Sequence, residues 1–290
     1  MDPRPSDIGE PAEAPPLEAL APFERLAVRL VRRMNRGRWQ RCWFWFQREV
    51  GARWIEVVIR RRLRVSGLDH VAGTSRDRPL LIVANHRTLY DLFVVMCVLF
   101  RRISGWQAIN FPVRGRYFYQ TVPGLLANFL AAWWSMWPPF FHTARKRRFD
   151  QWALSELARL CRERPGQLVG FHPEGTRNKS GDPWSLLPGQ PGVGRLIREA
   201  RPVVVPVFVA GLTNSFREIA TGGRPGAEPI RVRFGPALQY DHLLDLPDTA
   251  ETYRRIADLV MAGIRDLAEA DRREWAHRRE RPVPERVSPG

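Results

Sequence analysis

Two short segments hold the side chains best suited to chemistry. In Asn85-His-Arg-Thr-Leu-Tyr-Asp91 a histidine stands five positions before an aspartate. In Phe171-His-Pro-Glu-Gly-Thr-Arg177 a carboxylate, a glycine and a guanidinium share one turn-forming stretch. A carboxylate that accepts the proton of one imidazole nitrogen fixes the tautomer and leaves the other nitrogen basic. His86, oriented by Asp91, would then remove the proton of a hydroxyl as that oxygen attacks a thioester carbonyl. Pro173 and Gly175 impose a sharp turn, so Glu174 and Arg177 are expected to project from a strand end. Arginine matches a phosphate in two-pronged geometry, which makes Arg177 a candidate anion ligand. Arg145, within Arg145-Lys-Arg-Arg148, reads on its own as a solvated basic turn. No Gly-x-Ser-x-Gly elbow occurs and Cys97 lies inside an apolar run, so transfer without a protein nucleophile fits better.

The elements around these residues must bring them together. Five positions along one helix would turn His86 and Asp91 onto different faces. They meet only if His86 lies in a turn and Asp91 opens the following helix, where the helix dipole also favours a carboxylate. The pattern predicts strands at Leu63–Ser66, Leu80–Ala84, Trp106–Ile109, Leu168–Phe171, Val203–Val209 and Ile230–Phe234. Helices are predicted at Leu89–Phe100, Arg148–Glu163, Val193–Glu199 and Glu251–Ala276. This alternation implies an α/β fold with a mostly parallel central sheet flanked by helices. Both chemical segments then fall beyond the carboxyl ends of strands, where open α/β sheets bind ligands.

The 290 residues carry a formal net charge of +16, and lysine occurs only as Lys146 and Lys179 among 46 basic residues. Residues 1–20, acidic and proline-rich, read as a disordered leader. Residues 21–64 hold thirteen arginines beside Trp39, Trp43, Trp45 and Trp54, with apolar residues at helical spacing. That is the pattern of an N-terminal amphipathic helical membrane-binding extension on an anionic bilayer. Residues 65–245 are expected to form the domain that holds both chemical segments, and 246–290 a helix and disordered tail. Arginine clustering beside tryptophan fits lipid better than the extended basic stripe of a nucleic-acid binder, so no nucleic acid is expected. Residues 117–141 carry no charge. A helix over Leu125–Trp137 reaches about 20 Å, short of the roughly 30 Å hydrocarbon core. It fits a core helix, a dip into one leaflet, or the lining of a hydrophobic groove. Cys42, Cys97 and Cys161 lack any metal-ligand spacing, and a reducing compartment is expected, with no metal. With no apolar N-terminal signal, the chain is placed on the cytoplasmic face of the cell membrane, peripheral or monotopic.

These residues resemble the glycerolipid acyltransferase family, of the 1-acylglycerol-3-phosphate acyltransferase type. Asn85-His86-x4-Asp91 matches its first motif, and Phe171–Arg177 is similar to its Phe-Pro-Glu-Gly-Thr-Arg motif. Phe141–Arg145 takes the place of the arginine-bearing second motif, and Val205-Pro206-Val207 resembles the fourth. The likeness spans about Val65 to Leu238. It implies His86 as base and Asp91 as its orienter. Asn85, Arg145, Glu174, Gly175, Thr176 and Arg177 would shape the acceptor site. It further implies acyl-CoA or acyl carrier protein as co-substrate, with no cofactor, and a lysophosphatidic acid-like acceptor. Three departures leave the acceptor headgroup open among lysophosphatidic acid, another lysophospholipid and an aminolipid. His172 replaces a phenylalanine, Gln190 a common lysine, and Ala144 an acidic residue.

Overall fold

The computed structural model of the protein describes residues 14–74, 78–163, 166–220 and 228–280. Helix α1 (Pro22–Met34) leads to α2 (Gly37–Phe46), which runs through a π-helical turn (Gln47–Gly51) into α3 (Ala52–Ile59). Then follow β1 (Leu63–Ser66), α4 (Asp69–Ala72), β2 (Leu80–Ala84), α5 (Asp91–Arg102), β3 (Ala108–Asn110), β4 (Val113–Arg114), α6 (Gly115–Phe118), α7 (Val122–Ala132) and β5 (Pro139–Phe140). A 3-10 turn (Ala144–Lys146) opens onto α8 (Arg147–Glu163), β6 (Gln167–Phe171), α9 (Pro191–Ala200) and β7 (Val203–Ala210). The chain closes with α10 (Phe216–Ala220), β8 (Ile230–Phe234), α11 (Asp241–Leu244) and α12 (Ala250–Glu280).

The wholly buried run Leu80-Leu-Ile-Val-Ala84 is central because residues apolar on both faces need cover on both. The sheet order is β1-β8-β7-β2-β6-β3, and only the β7–β8 pairing is antiparallel. Alternation along β2 divides the core. Leu81 and Val83 pack with α8, α9 and α12, while Leu80, Ile82 and Ala84 pack with α3 and α5. The fold is therefore α/β, mostly parallel, with helices on both faces. Since β2, β6 and β7 are parallel neighbours, their carboxyl ends emerge together.

Two expectations need correction. The expected leader, residues 1–20, includes a packed residue: Leu20 is buried in the core, and Arg25 Nε donates to its carbonyl at 2.8 Å. Residues 1–13 of that leader, and the tail beyond 280, lie outside the described residues. The uncharged segment is not one helix over Leu125–Trp137. It opens at Val122, with Pro123 tolerated in the first turn and Thr121 Oγ1 accepting from Gly124 N at 3.1 Å. It stops at Ala132, where Trp133 and Trp134 take left-handed backbone at φ 47° and 68°.

Candidate active site

Asn85 closes the end of β2. Its buried amide donates to Val209 O at 2.9 Å and accepts from Val209 N at 2.7 Å, extending the β2–β7 pairing by side chain. The chain then leaves the sheet at His86, and Asp91 is the first residue of α5. The turn-then-helix arrangement brings His86 Nδ1 to 3.3 Å from Asp91 Oδ2. Asp91 is almost fully buried and accepts from Arg87 N at 2.7 Å, Thr88 N at 2.7 Å and Thr88 Oγ1 at 2.6 Å. Three donors aimed at one buried acid satisfy both of its oxygens. Against a carboxylate acceptor His86 Nδ1 is the donor, which leaves Nε2 as the unpaired ring nitrogen of this contact.

The second segment sits beside the first because β6 pairs with β2. Glu174 points inward rather than projecting from the strand end. Its two oxygens accept from His86 N at 2.7 Å and Leu187 N at 2.8 Å. The physical reason is satisfaction: a buried carboxylate needs donors, and two turn amides supply them. Burial still pushes its carboxyl above the ordinary range, with those two amides pulling the other way. Asn178 N donates to His86 O at 2.7 Å, so both sides of the His86 peptide are tied to the Glu174 turn. Gly175 holds φ +68°, which a side chain rarely adopts, and Gln190 packs against it. Thr176 is exposed, and Arg177 Nη1 donates to Asn214 Oδ1 at 3.3 Å.

His172 lies flat on His86 with ring centroids 3.8 Å apart and planes 11° from parallel. Its Nδ1 donates to Ala84 O at 2.9 Å, since a carbonyl can only accept. Burial, and then the neighbouring His86, depress its pKa to about 3. His86, Asp91 and His172 each offer a ligand atom within 4.8 Å of the others. Nδ1 of His172 is already spent on the Ala84 carbonyl, and Nδ1 of His86 faces Asp91, so only the two Nε2 atoms and Asp91 are left to a ligand.

Arg145 is exposed in the 3-10 turn, and among the described residues it makes no hydrogen bond to the dyad. Its neighbour Lys146 is engaged elsewhere, pairing with the buried Glu24 of α1 at 2.5 Å. Two arginines that the motifs did not single out stand closer. Arg114 Nη2 donates to Gly175 O at 3.3 Å, and Arg87 Nη2 to Ser180 O at 2.6 Å. Arg87, between His86 and Asp91, is in plain view; Arg114 lies 61 residues from the Gly175 it touches and carries no local signal. A cleft of about 560 Å³ flanks Asp91 on the β7 side, lined by Arg62, Arg87, Thr88, Val209 and Leu212 among others.

A protein-family model described as Acyltransferase matches residues 62–210 of the chain, taking in both motif segments. Among solved structures, one match is the crystal structure of the 1-acyl-sn-glycerophosphate (LPA) acyltransferase, PlsC, from Thermotoga maritima. It is 14% identical, with a TM-score of 0.47, over 86% of this chain and 95% of that one. No curated protein matches.

Proposed function

Because the chain belongs to the Acyltransferase family, we propose that it moves a fatty acyl group from acyl-CoA or acyl carrier protein to the free hydroxyl of a lysophosphatidic acid-like acceptor, giving phosphatidic acid. His86 Nε2 takes the hydroxyl proton as the oxygen attacks the thioester carbonyl. The carbon–sulfur bond breaks, and the thiolate leaves with the proton that His86 collected. Asp91 keeps Nδ1 protonated and stabilises the transient imidazolium. One observation carries this reading: the buried Asp91, held by three donors, stands 3.3 Å from His86 Nδ1. Arg177 and Arg114, both joined to the Glu174–Gly175 turn or its surroundings, suit the acceptor phosphate.

The membrane side of the reading rests on the N-terminal helices. Trp39, Trp45 and Trp54 are exposed among the exposed Arg36, Arg38, Arg41, Arg48 and Arg53. Interfacial helices combine these two residue classes, and the proposed partner is an anionic bilayer on the cytoplasmic side. Among the described residues no helix is long and apolar enough to cross a membrane.

The test is acyl transfer by purified protein in anionic vesicles, with radiolabelled acyl-CoA and a panel of lysolipids. Lysophosphatidic acid should be the preferred acceptor, and His86→Ala should abolish transfer while thermal unfolding and vesicle binding stay unchanged. Transfer retained by His86→Ala would remove His86 as the base. Preference for a neutral lysolipid or an aminolipid would remove the phosphate reading.

A further inference from the structure

Helix α7 exposes a face that holds no polar side chain. Val122, Leu126 and Leu130 are 67%, 52% and 63% exposed, with Pro123, Ala127 and Ala131 also exposed beside them. Its buried edge is narrow: Gly124, Asn128 and Ala132, one helical turn apart. A helix that shows water only proline, alanine, valine and leucine is amphipathic in the wrong sense for water.

Its surroundings say what covers it. Phe129 and Trp133 of this segment pack on Trp43 at 5.4 and 6.2 Å, and Trp133 stacks on Phe46 at 5.5 Å. Gln47, at the π-helical turn, donates to Ala132 O at 3.1 Å and Ser135 Oγ at 2.7 Å. Left-handed backbone at Trp133 and Trp134 ends the helix there, with the Trp133 indole on the N-terminal helices and the Trp134 indole stacked on Phe129. The apolar stripe Trp39, Trp43, Phe46, Val50, Trp54, Val57 therefore continues onto α7. Exposed cations flank α7 in sequence on both sides, Arg114 and Arg116 before it and Arg145, Arg147 and Arg148 after it. Cations bracketing an apolar, tryptophan-ended helix complement an anionic headgroup layer over acyl chains.

We propose that α7 is a second membrane anchor, lying in the headgroup–acyl boundary with Val122, Leu126 and Leu130 toward the chains. This rests on the membrane reading given above for the N-terminal helices. Eleven residues reach only about 16 Å, so the helix lies along the bilayer instead of spanning it.

The test uses the full chain with Cys42→Ser, labelled with an environment-sensitive fluorophore at Leu126→Cys or, as control, at Glu251→Cys on α12. Vesicles contain phosphatidylglycerol and phosphatidylcholine with a nitroxide-bearing lipid. The expected result is a blue shift and quenching at 126 and neither at 251. Leu126→Glu and Leu130→Glu should each weaken vesicle binding about tenfold or more, the factor that follows from forfeiting one leucine's burial. Transfer between water-soluble short-chain substrates should be unchanged in both. Protein that sediments with vesicles but is unquenched at 126 overturns the α7 anchor and leaves the N-terminal one standing. Failure to sediment at all removes both. A concentration-dependent blue shift without vesicles would assign the face to a second copy of the chain. A shift caused by soluble acyl donor alone would assign it to the acyl chain. Either overturns the proposal.

Discussion

At the site, His86 and Asp91 could be read from the sequence because the spacing admits only one geometry that pairs them, a turn feeding a helix. Asp91 does open α5. The direction of Glu174 could not be read, since only the tertiary fold reveals that the amides of His86 and Leu187 await it. Replacing it by glutamine tests that bridging role. Glutamine offers one oxygen and sets an amide N–H₂ against a backbone donor. Glu174→Gln should cost about 1–3 kcal/mol in thermal or denaturant unfolding, and lower kcat by loosening the His86 turn. Wild-type stability and turnover in the variant would show that the bridge is dispensable. His172 gives a pH prediction. Its folded pKa of about 3 lies below the ordinary 6.5, so between these values the unfolded chain binds a proton that the folded chain refuses. The contribution is present above about pH 6.5 and is lost as pH falls toward about 3. His172→Phe, which removes the titrating group while retaining a ring against His86, should narrow the gap in Tm between about pH 7 and about pH 4.5. An unchanged gap would mean that His172 does not resist protonation.

Among the elements, apolar runs long enough to be covered on both faces were legible, and short or strained ones were not. The expected Leu63–Ser66, Leu80–Ala84 and Ile230–Phe234 coincide with β1, β2 and β8. The third strand lies two residues beyond Trp106, because Gly105 at φ +94° turns the chain just before it while Trp106 is buried without joining the sheet. The two-residue β4 and β5 carry too little pattern to be seen. The end of α7 at Ala132 was hidden because tryptophans at left-handed φ break propensity, held by aromatic packing that a local window cannot see. Tight contacts between elements are equally silent in sequence. Gly194 of α9 sits so close to α12 that an added Cβ would overlap the carbonyl of Tyr253. A backbone atom cannot rotate away, so Gly194→Ala should force the two helices apart and cost about 1–3 kcal/mol or more. Because this pair lies on the sheet face carrying α8 and α9, the loss should register in unfolding before it registers in the kcat of folded enzyme. A stabilised variant would contradict the packing described.

For the whole molecule, the question is how a chain of net charge +16 distributes that charge. Some arginines are consumed internally: Arg231 and Arg233 both pair with the buried Asp271 of α12, at 2.9 and 3.0 Å. Others gather on the N-terminal helices. Arg29, Arg32, Arg33, Arg36 and Arg38 line a shallow, open surface hollow of about 530 Å³ with Trp39 and no acid on its wall. Burial, and then the charge of Arg36, depress the pKa of Arg32, while Glu156 acts the other way. Such a cluster lowers its energy by gaining an anionic neighbour, and a bilayer supplies a dense array of phosphates. Each basic residue near an anionic surface contributes on the order of 1 kcal/mol, and the screening length shrinks from about 10 Å at 0.1 M salt to about 3 Å at 1 M. Binding to phosphatidylglycerol-rich vesicles should therefore weaken steeply across that range. Arg33→Gln with Arg36→Gln should flatten the salt dependence. The apolar contribution of Trp39, Trp45 and Trp54 is not screened, so a residual, salt-insensitive affinity should remain and should equal that for purely zwitterionic vesicles. Cosedimentation across a salt series reads both components at once. Equal affinity for the two vesicle types at low salt would mean that the clustered arginines do not meet the membrane, and that the N-terminal helices bind, if they bind at all, through tryptophan alone.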